Sequence, residues 1–507
     1  MAKSRRKTKP TQTKSREAKP KDNGIDKRYV AVGMIIVTLI VLYILREANA
    51  LPIILRIVLA LGMLVLVGIA VQRMLKLQGG YGLYMIGSKH GLATIEKTAK
   101  VHDVFWEVMA MWGLTLGFGV LTYPLLKGKI DKRVYAFGLI SLVLIMIFVL
   151  PNLGNALQFI NIPQVQNAVA SRSASTGTST SLPLTSYLVY AVTFVAGFTG
   201  TIITSLFVST EYIFWSIIQF ATAPSAAAAK TVTNNIGVAP IIPGITIPFL
   251  AGIISLIILL SIHEFSHGVL AKKAKVKLKS IGVLMFGAVP VGGFVEPDEK
   301  QVDKLPKMQQ TKIFAAGVSA NFIATIVFFA LMMLMMAYVL PSIYQYRIVI
   351  TGILPNYPAN GVLQDGMQIL KWNNNTITNI TTLDAAGSKD LPNSTVTVVT
   401  NKGTYSMKAT ASPTNSSRGL IGVSLGYGYV PIKPSPFSGF MYFLYTLFSL
   451  SMLLNFFVGV LNLLPLPGLD GWRIYFANIK SERLIKTLGA LIIILIIINI
   501  LPVIFYL

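Results

Sequence analysis

The stretch 245–273, ITIPFLAGIISLIILLSIHEFSHGVLAKK, is apolar for about the length a helix needs to cross a bilayer, and it closes on His263-Glu264-Phe265-Ser266-His267 and a basic flank. Ionisable groups at membrane depth are costly and usually functional. On a helix, residues four apart share one face, so both imidazoles can bind a single zinc ion while Glu264 serves as general base. The plainer reading is two interfacial histidines beside a chance glutamate.

Working outward, composition sets the class. Apolar residues make up 53% of the 507, charged residues 12%, and mean hydropathy is +0.65, which together describe a polytopic membrane protein. There is no cysteine, so any zinc must be held by His, Asp or Glu. A net charge of +25 would suit a nucleic-acid partner, but its distribution argues against one. Eleven Lys/Arg fall within residues 1–28, and most others flank apolar runs. The tail 1–28 is expected to be disordered, cytoplasmic and close to anionic lipid, rather than a cleaved signal peptide.

Apolar runs of spanning length occur at about 29–46, 51–73, 104–126, 134–151, 186–208, 241–263, 312–340, 436–461 and 484–506. This predicts an α-helical integral protein of the cell membrane with about nine transmembrane helices. With a cytoplasmic N-terminus, parity puts His263–His267 on the cytoplasmic side, and Lys272, Lys273, Lys275, Lys277 and Lys279 agree. Lys127, Lys129, Lys132 and Arg133 disagree, because parity places their loop outside. Either that loop breaks the rule or the segment 77–103 enters and leaves the membrane. The Ser/Thr-rich stretch 171–182 reads as a loop, and the proline-bearing 221–247 as a turn-rich segment over the surface. Arg56, inside the second span, reads as snorkelling or packed between helices.

One stretch, 345–430, reads as a compact β-rich module inserted between spans. PNYPANGVLQDGMQILKWNNNTI resembles the PDZ pattern, in which an extended peptide is held as an added strand; a generic small β domain is the alternative. All four Asn-x-Ser/Thr sites, at Asn374, Asn379, Asn393 and Asn415, lie in this module, which agrees with the parity argument that it is extracytoplasmic.

A hydrolytic zinc generally needs a third protein ligand and an open position. His90 and His102 lack ligand spacing. Of the nine acidic residues after His267, Asp365, Asp384 and Asp390 belong to the module. Glu296, Asp298, Glu299 and Asp303 lie in a charged loop, and Glu482 sits beside Lys480 and Arg483. Asp470 remains, in FFVGVLNLLPLPGLDGWRI, where prolines and glycines break an apolar span; irregular backbone at such depth is tolerated where it is buried or lines a wet cavity. The alternative is a turn whose Asp caps the next helix.

His-Glu-x-x-His on one span, with Asn462-x-x-Pro465 and Leu469-Asp470-Gly471 on a later one, resembles the site-2 protease family of intramembrane zinc metalloproteases. The likeness covers roughly 240–507. VPVGGFVEPDE at 289–299 resembles that family's membrane-associated β-loop, and AAGVSANF at 315–322 its small-residue motif. A PDZ-like insert is a family arrangement, and the N-terminal spans with IIPGITIP look like archaeal members. The resemblance implies zinc ligands His263, His267 and Asp470, with Glu264 as the base that moves a proton from water to the leaving amine. It implies that Asn462 orients the substrate or stabilises the oxyanion, and that Gly292, Gly293, Phe294 and Val295 pair with an unwound substrate strand. Gly317 and Asn321 are expected to permit close helix packing rather than to join the chemistry.

The expected organisation is a basic tail (1–28), an N-terminal membrane region of open role (29–239), a first core half (240–344), the PDZ-like module (345–430) and a second core half (431–507). The expected activity is cleavage of the transmembrane segments of membrane proteins, with the module as a size filter and a possible peptide binder. The rival readings are an inactive peptide-binding scaffold and a metal transporter.

Overall fold

The computed structural model describes residues 26–47, 51–101, 103–160, 184–223, 241–244, 246–354, 357–412 and 416–506. The tail to residue 25, the Ser/Thr-rich stretch 171–182, His102, Asn415 and 224–240 lie outside them. Among the described residues, nine helices are long and apolar enough to cross a membrane, and the chain is a multi-pass membrane protein. In hydrocarbon every backbone polar group needs an internal partner, so the apolar runs are helical.

Two of these helices differ from the sequence-based bounds. The expected 241–263 span begins later and runs on, as Phe249–Lys273. Pro248 sits at its N-cap and Lys272 and Lys273 close it, where cations favour the helix C-terminus. His263–His267 therefore lies inside the helix rather than at its end. The expected 186–208 span extends over Leu184–Thr222 and is broken at Gly197, whose φ of 64° and ψ of −168° are not helical.

The chain divides into two compact units. The first comprises the described residues within 26–87 and 282–292. In it α1 (Lys27–Glu47) packs on α2 (Ile53–Leu75), followed by the hairpin of β1 (Gly79–Gly80) and β2 (Leu83–Ser88). The tip of a second hairpin, between β3 (Leu278–Phe286) and β4 (Val289–Pro297), belongs here too, giving the strand order β1-β2-β3-β4. Tyr84 is fully buried in this unit, and its hydroxyl donates to the Gly287 carbonyl at 2.7 Å. Of the segment 77–103, the hairpin and α3 (Leu92–Ala99) are the regular elements, and neither holds a helix of spanning length.

The second unit comprises the described residues within 88–281 and 293–506. Its core is α4 (Asp103–Phe118), α5 (Lys132–Leu144), α6 (Leu184–Thr222), α7 (Phe249–Lys273), α8 (Lys307–Leu334) and α9 (Pro436–Leu461), with α10 (Asp470–Asn478) and α11 (Glu482–Tyr506) after it. α8 is central: it packs on α4, α7, α9 and α10. The run from Ala315 to Asn321 is buried throughout, and small side chains there let backbones approach closely. On α4, a Cβ at Gly113 would stand 2.0 Å from Ser319 Oγ, so glycine there is a condition of that approach.

The β-rich module rises from α8 and returns to α9. Its ends are joined by antiparallel β5 (Tyr344–Ile353) and β12 (Val423–Pro431). Between them lie a four-stranded sheet of order β7-β6-β8-β9 (Asn375–Thr376, Ile369–Trp372, Thr395–Thr400, Gly403–Lys408), a short β10–β11 pair (Thr410–Ala411, Gly419–Leu420) and the helix Ile380–Gly387. A core of its own includes Ile350, Leu363, Ile369, Trp372, Val396 and Val398. Asp390 is structural: its carboxylate accepts from Trp372 Nε1 at 2.7 Å and Asn373 Nδ2 at 3.0 Å.

Candidate active site

The first donors come from one helix face. On α7, His263 Nε2 and His267 Nε2 stand 3.1 Å apart, with ring centroids at 4.7 Å and planes at 78°. Gly317 of α8 makes room for both rings. A Cβ there would lie 2.4 Å from His267 Nε2 and 2.7 Å from His263 Cε1. One turn earlier on α8, the Ile313 carbonyl stands 2.7 Å from His267 Nδ1. That carbonyl can only accept, so Nδ1 carries a proton, and the neutral ring then offers Nε2 as a ligand atom. On the other side of Gly317, Asn321 is fully buried and its amide meets His263 Nδ1 at 3.2 Å.

Asp470 arrives through the turn that follows α9. Asn462 caps that helix, and its carbonyl accepts from the Gly471 amide at 2.6 Å, which folds the intervening segment back on itself. Gly471 cannot be larger, because a Cβ would fall 2.3 Å from the Leu463 carbonyl oxygen. Gly468 takes a φ of +91°, a conformation glycine reaches without steric cost. Asp470 is then the first residue of α10, while Leu469 holds the N-cap with no side-chain bond, so Asp470 is not a helix cap. Its Oδ2 lies 3.1 Å from His263 Nε2 and 3.2 Å from His267 Nε2.

These three residues suit a metal ion. One donor atom from each lies within 4.8 Å of the others, and the closest set forms a near-equilateral triangle of 3.1–3.2 Å edges. Donors at about 2.0–2.1 Å from a tetrahedral zinc stand about 3.3 Å apart. Asp470 Oδ2 is buried and makes no ordinary hydrogen bond, so its only partners among the described residues are the two ring nitrogens. Two imidazoles and a carboxylate, with no thiolate, are also donors zinc accepts.

Glu264, half-buried beside the histidines, is held by β4, the second strand of the β3–β4 hairpin. The Val295 amide donates to Glu264 Oε2 at 2.9 Å, and a Cβ at Gly293 would come within 3.2 Å of Glu264 Cγ. Phe294 between them is half-buried. Gly292 belongs to the first unit, where it lies over Leu284. A cavity of ≈ 550 Å³ opens on Asp470, lined by Phe314, Gly468, Leu469, Trp472, Arg473 and Phe476. Arg473 lies 5.7 Å over the Phe314 ring and pairs with Glu299 at 3.2 Å.

The remaining charged candidates have other partners. Glu296 accepts from Ser280 and Lys279, and these two hold its carboxyl below the usual carboxylate range against the opposing effect of burial. Asp298 caps the short helix Glu299–Asp303, and Glu482 pairs with Lys486. His90 is exposed and meets Ser88. The sequence reading did not foresee the parts Gly317 and Asn321 play beside the histidines. The small-residue run pointed to close packing, but not to the imidazoles as what is packed.

Residues 251–496 match the model of peptidase family M50. An uncharacterised protein of Methanocaldococcus jannaschii is 31% identical over 246 residues, a match covering 47% of this chain and 60% of that relative. The chain thus spans somewhat under two thirds of the relative's length. The stretch that holds both the His263–His267 helix and Asp470 is thus similar to peptidase family M50, the site-2 protease family.

Proposed function

We propose that this chain is an intramembrane zinc metalloprotease that cuts transmembrane segments of membrane proteins. The observation that carries the reading is the triangle of His263, His267 and Asp470 donors with Glu264 on the adjoining position of the same helix.

His263 Nε2, His267 Nε2 and Asp470 Oδ2 would hold the ion. Zinc in such a site supplies Lewis acidity toward a carbonyl oxygen and makes water more acidic. Glu264 takes a proton from the attacking water and gives it to the amine nitrogen as the peptide bond breaks. The Val295 amide fixes one carboxylate oxygen of Glu264, so the base is aimed before substrate arrives. Asn462, on the turn that delivers Asp470, is assigned to the substrate backbone or the developing oxyanion. A helical substrate must unwind first, because its carbonyls are otherwise bonded within the helix. β4 is the edge strand of its sheet, and its edge around Gly293 and Phe294 offers backbone groups for that unwound strand.

The β-rich module is read as PDZ-like, as extracytoplasmic and as a filter that excludes substrates with bulky outer domains. The site is assigned to the cytoplasmic side, and the basic N-terminus to anionic lipid. Purified protein reconstituted in vesicles should cleave some members of a panel of single-span reporters. That cleavage should vanish on chelation and return on adding zinc. Zinc-independent cleavage, or none from zinc-loaded protein across a broad panel, would contradict the reading.

A further inference from the structure

We infer that Asn321 is a positioning residue for the metal site, its side-chain oxygen accepting the His263 Nδ1 proton so that Nε2 is free to bind the ion. The inference rests on the metal-site reading above and assigns a role to a residue outside the ligand set.

Asn321 is fully buried on α8, fifty-eight positions from His263 in sequence but in contact with it through helix packing. Its backbone carbonyl accepts from Thr325 Oγ1 at 2.9 Å, and a Cβ added at Gly459 of α9 would come within 3.3 Å of its own Cβ. The side-chain amide is turned toward His263, 3.2 Å from its Nδ1. The amide can face the ring in two ways that differ only by exchanging nitrogen for oxygen. With Nδ2 toward the ring, the amide donates to a bare Nδ1. The ring proton must then sit on Nε2, where it faces His267 and Asp470 and blocks a metal. In that orientation Asn321 Oδ1 is also buried with no hydrogen-bond partner among the described residues.

Turning the amide over removes both difficulties. Oδ1 gains the Nδ1 proton as its partner, and His263 presents a bare Nε2 to the triangle. The two histidines then become equivalent: His267 Nδ1 is held by the Ile313 carbonyl, and His263 Nδ1 by the Asn321 carbonyl, both from α8. Gly317 stands midway between these two acceptors and clears space for the rings they hold. One helix thus sets the tautomers of ligands carried by another.

The test is zinc affinity of the full-length protein in detergent, measured by competition with a chelator, for wild type, Asn321→Leu and Asn321→Asp. Leucine keeps the volume and removes the acceptor; aspartate supplies only acceptors. The inference expects Asn321→Leu to bind about 10- to 100-fold more weakly and Asn321→Asp to stay within a few-fold of wild type. Thermal unfolding of the zinc-free proteins reports whether each variant is folded. If Asn321 merely packs, or donates through Nδ2, the order reverses: leucine retains affinity and the buried aspartate loses it, which overturns the inference. Should Asn321→Leu fail to fold, Asn321→Asp decides alone by keeping or losing affinity. A wild-type protein that binds no zinc overturns the metal-site reading and this inference with it, whereas wild-type binding with the reversed order overturns the inference only.

Discussion

The Val295 amide donates to Glu264 Oε2 at 2.9 Å, so a strand backbone holds the carboxylate that stands next to the metal-type histidines. This bond ties β4 to α7 at the one position where a base would need a fixed direction. Hydrogen bonds to charged groups contribute about 1.5–3 kcal/mol. Replacing Val295 with proline removes the donor, and cleavage should fall by roughly 10- to 100-fold, with zinc content unchanged. Steady-state cleavage beside metal analysis checks it. Full activity in Val295→Pro would show that Glu264 needs no such support.

Gly317 gives a sharper steric prediction. A Cβ there would sit 2.4 Å from His267 Nε2, a ligand atom rather than the loose end of a flexible chain. Gly317→Ala should lose stoichiometric zinc while keeping its helix content by circular dichroism. Retained zinc at wild-type affinity would mean that α8 and α7 can move apart without harm to the site.

The turn before Asp470 offers a graded pair. Gly471→Ala forces a methyl against the Leu463 carbonyl oxygen and should displace Asp470, with severe loss of zinc binding. Gly468 has open space around its missing side chain but a φ of +91°. Gly468→Ala should therefore cost only about 1–2 kcal/mol of backbone strain and weaken the site mildly. Chelator competition ranks the two; equal effects would mean that space at Gly471 is not what sets Asp470.

The module makes a selectivity prediction. Joining the chain across a deletion of 345–427 leaves the ends of β5 and β12, and should permit cleavage of reporters that still carry a folded outer domain. Unchanged selectivity in a side-by-side reporter assay would exclude the filter role.

Much of this was legible in the sequence because membrane helices must be long and apolar, and because helical spacing puts His263 and His267 on one face. Asp470 could be reached by setting aside the other acidic residues, each of which the structure gives a separate partner or place, as with Asp390 under Trp372 and Glu296 beside Ser280. What was not legible depends on contacts between distant segments. The Asn321–His263 and Val295–Glu264 contacts have no local pattern, since each is made only when α8 or β4 packs on α7. The break at Gly197 was hidden for another reason: a lone glycine inside an apolar run is common in membrane helices and signals no particular conformation. The later start and end of α7 came from Pro248 and the lysine pair, whose stop signals outweigh hydropathy in fixing a helix boundary.

The most direct measurement compares wild type with Glu264→Gln, both purified and loaded with zinc, on a reporter that the wild type cleaves. The account predicts equal zinc stoichiometry, because Glu264 is not among the donors of the triangle, and loss of cleavage in the variant, because the proton carrier is gone. Cleavage by Glu264→Gln at the wild-type rate, with zinc bound in both, would contradict it.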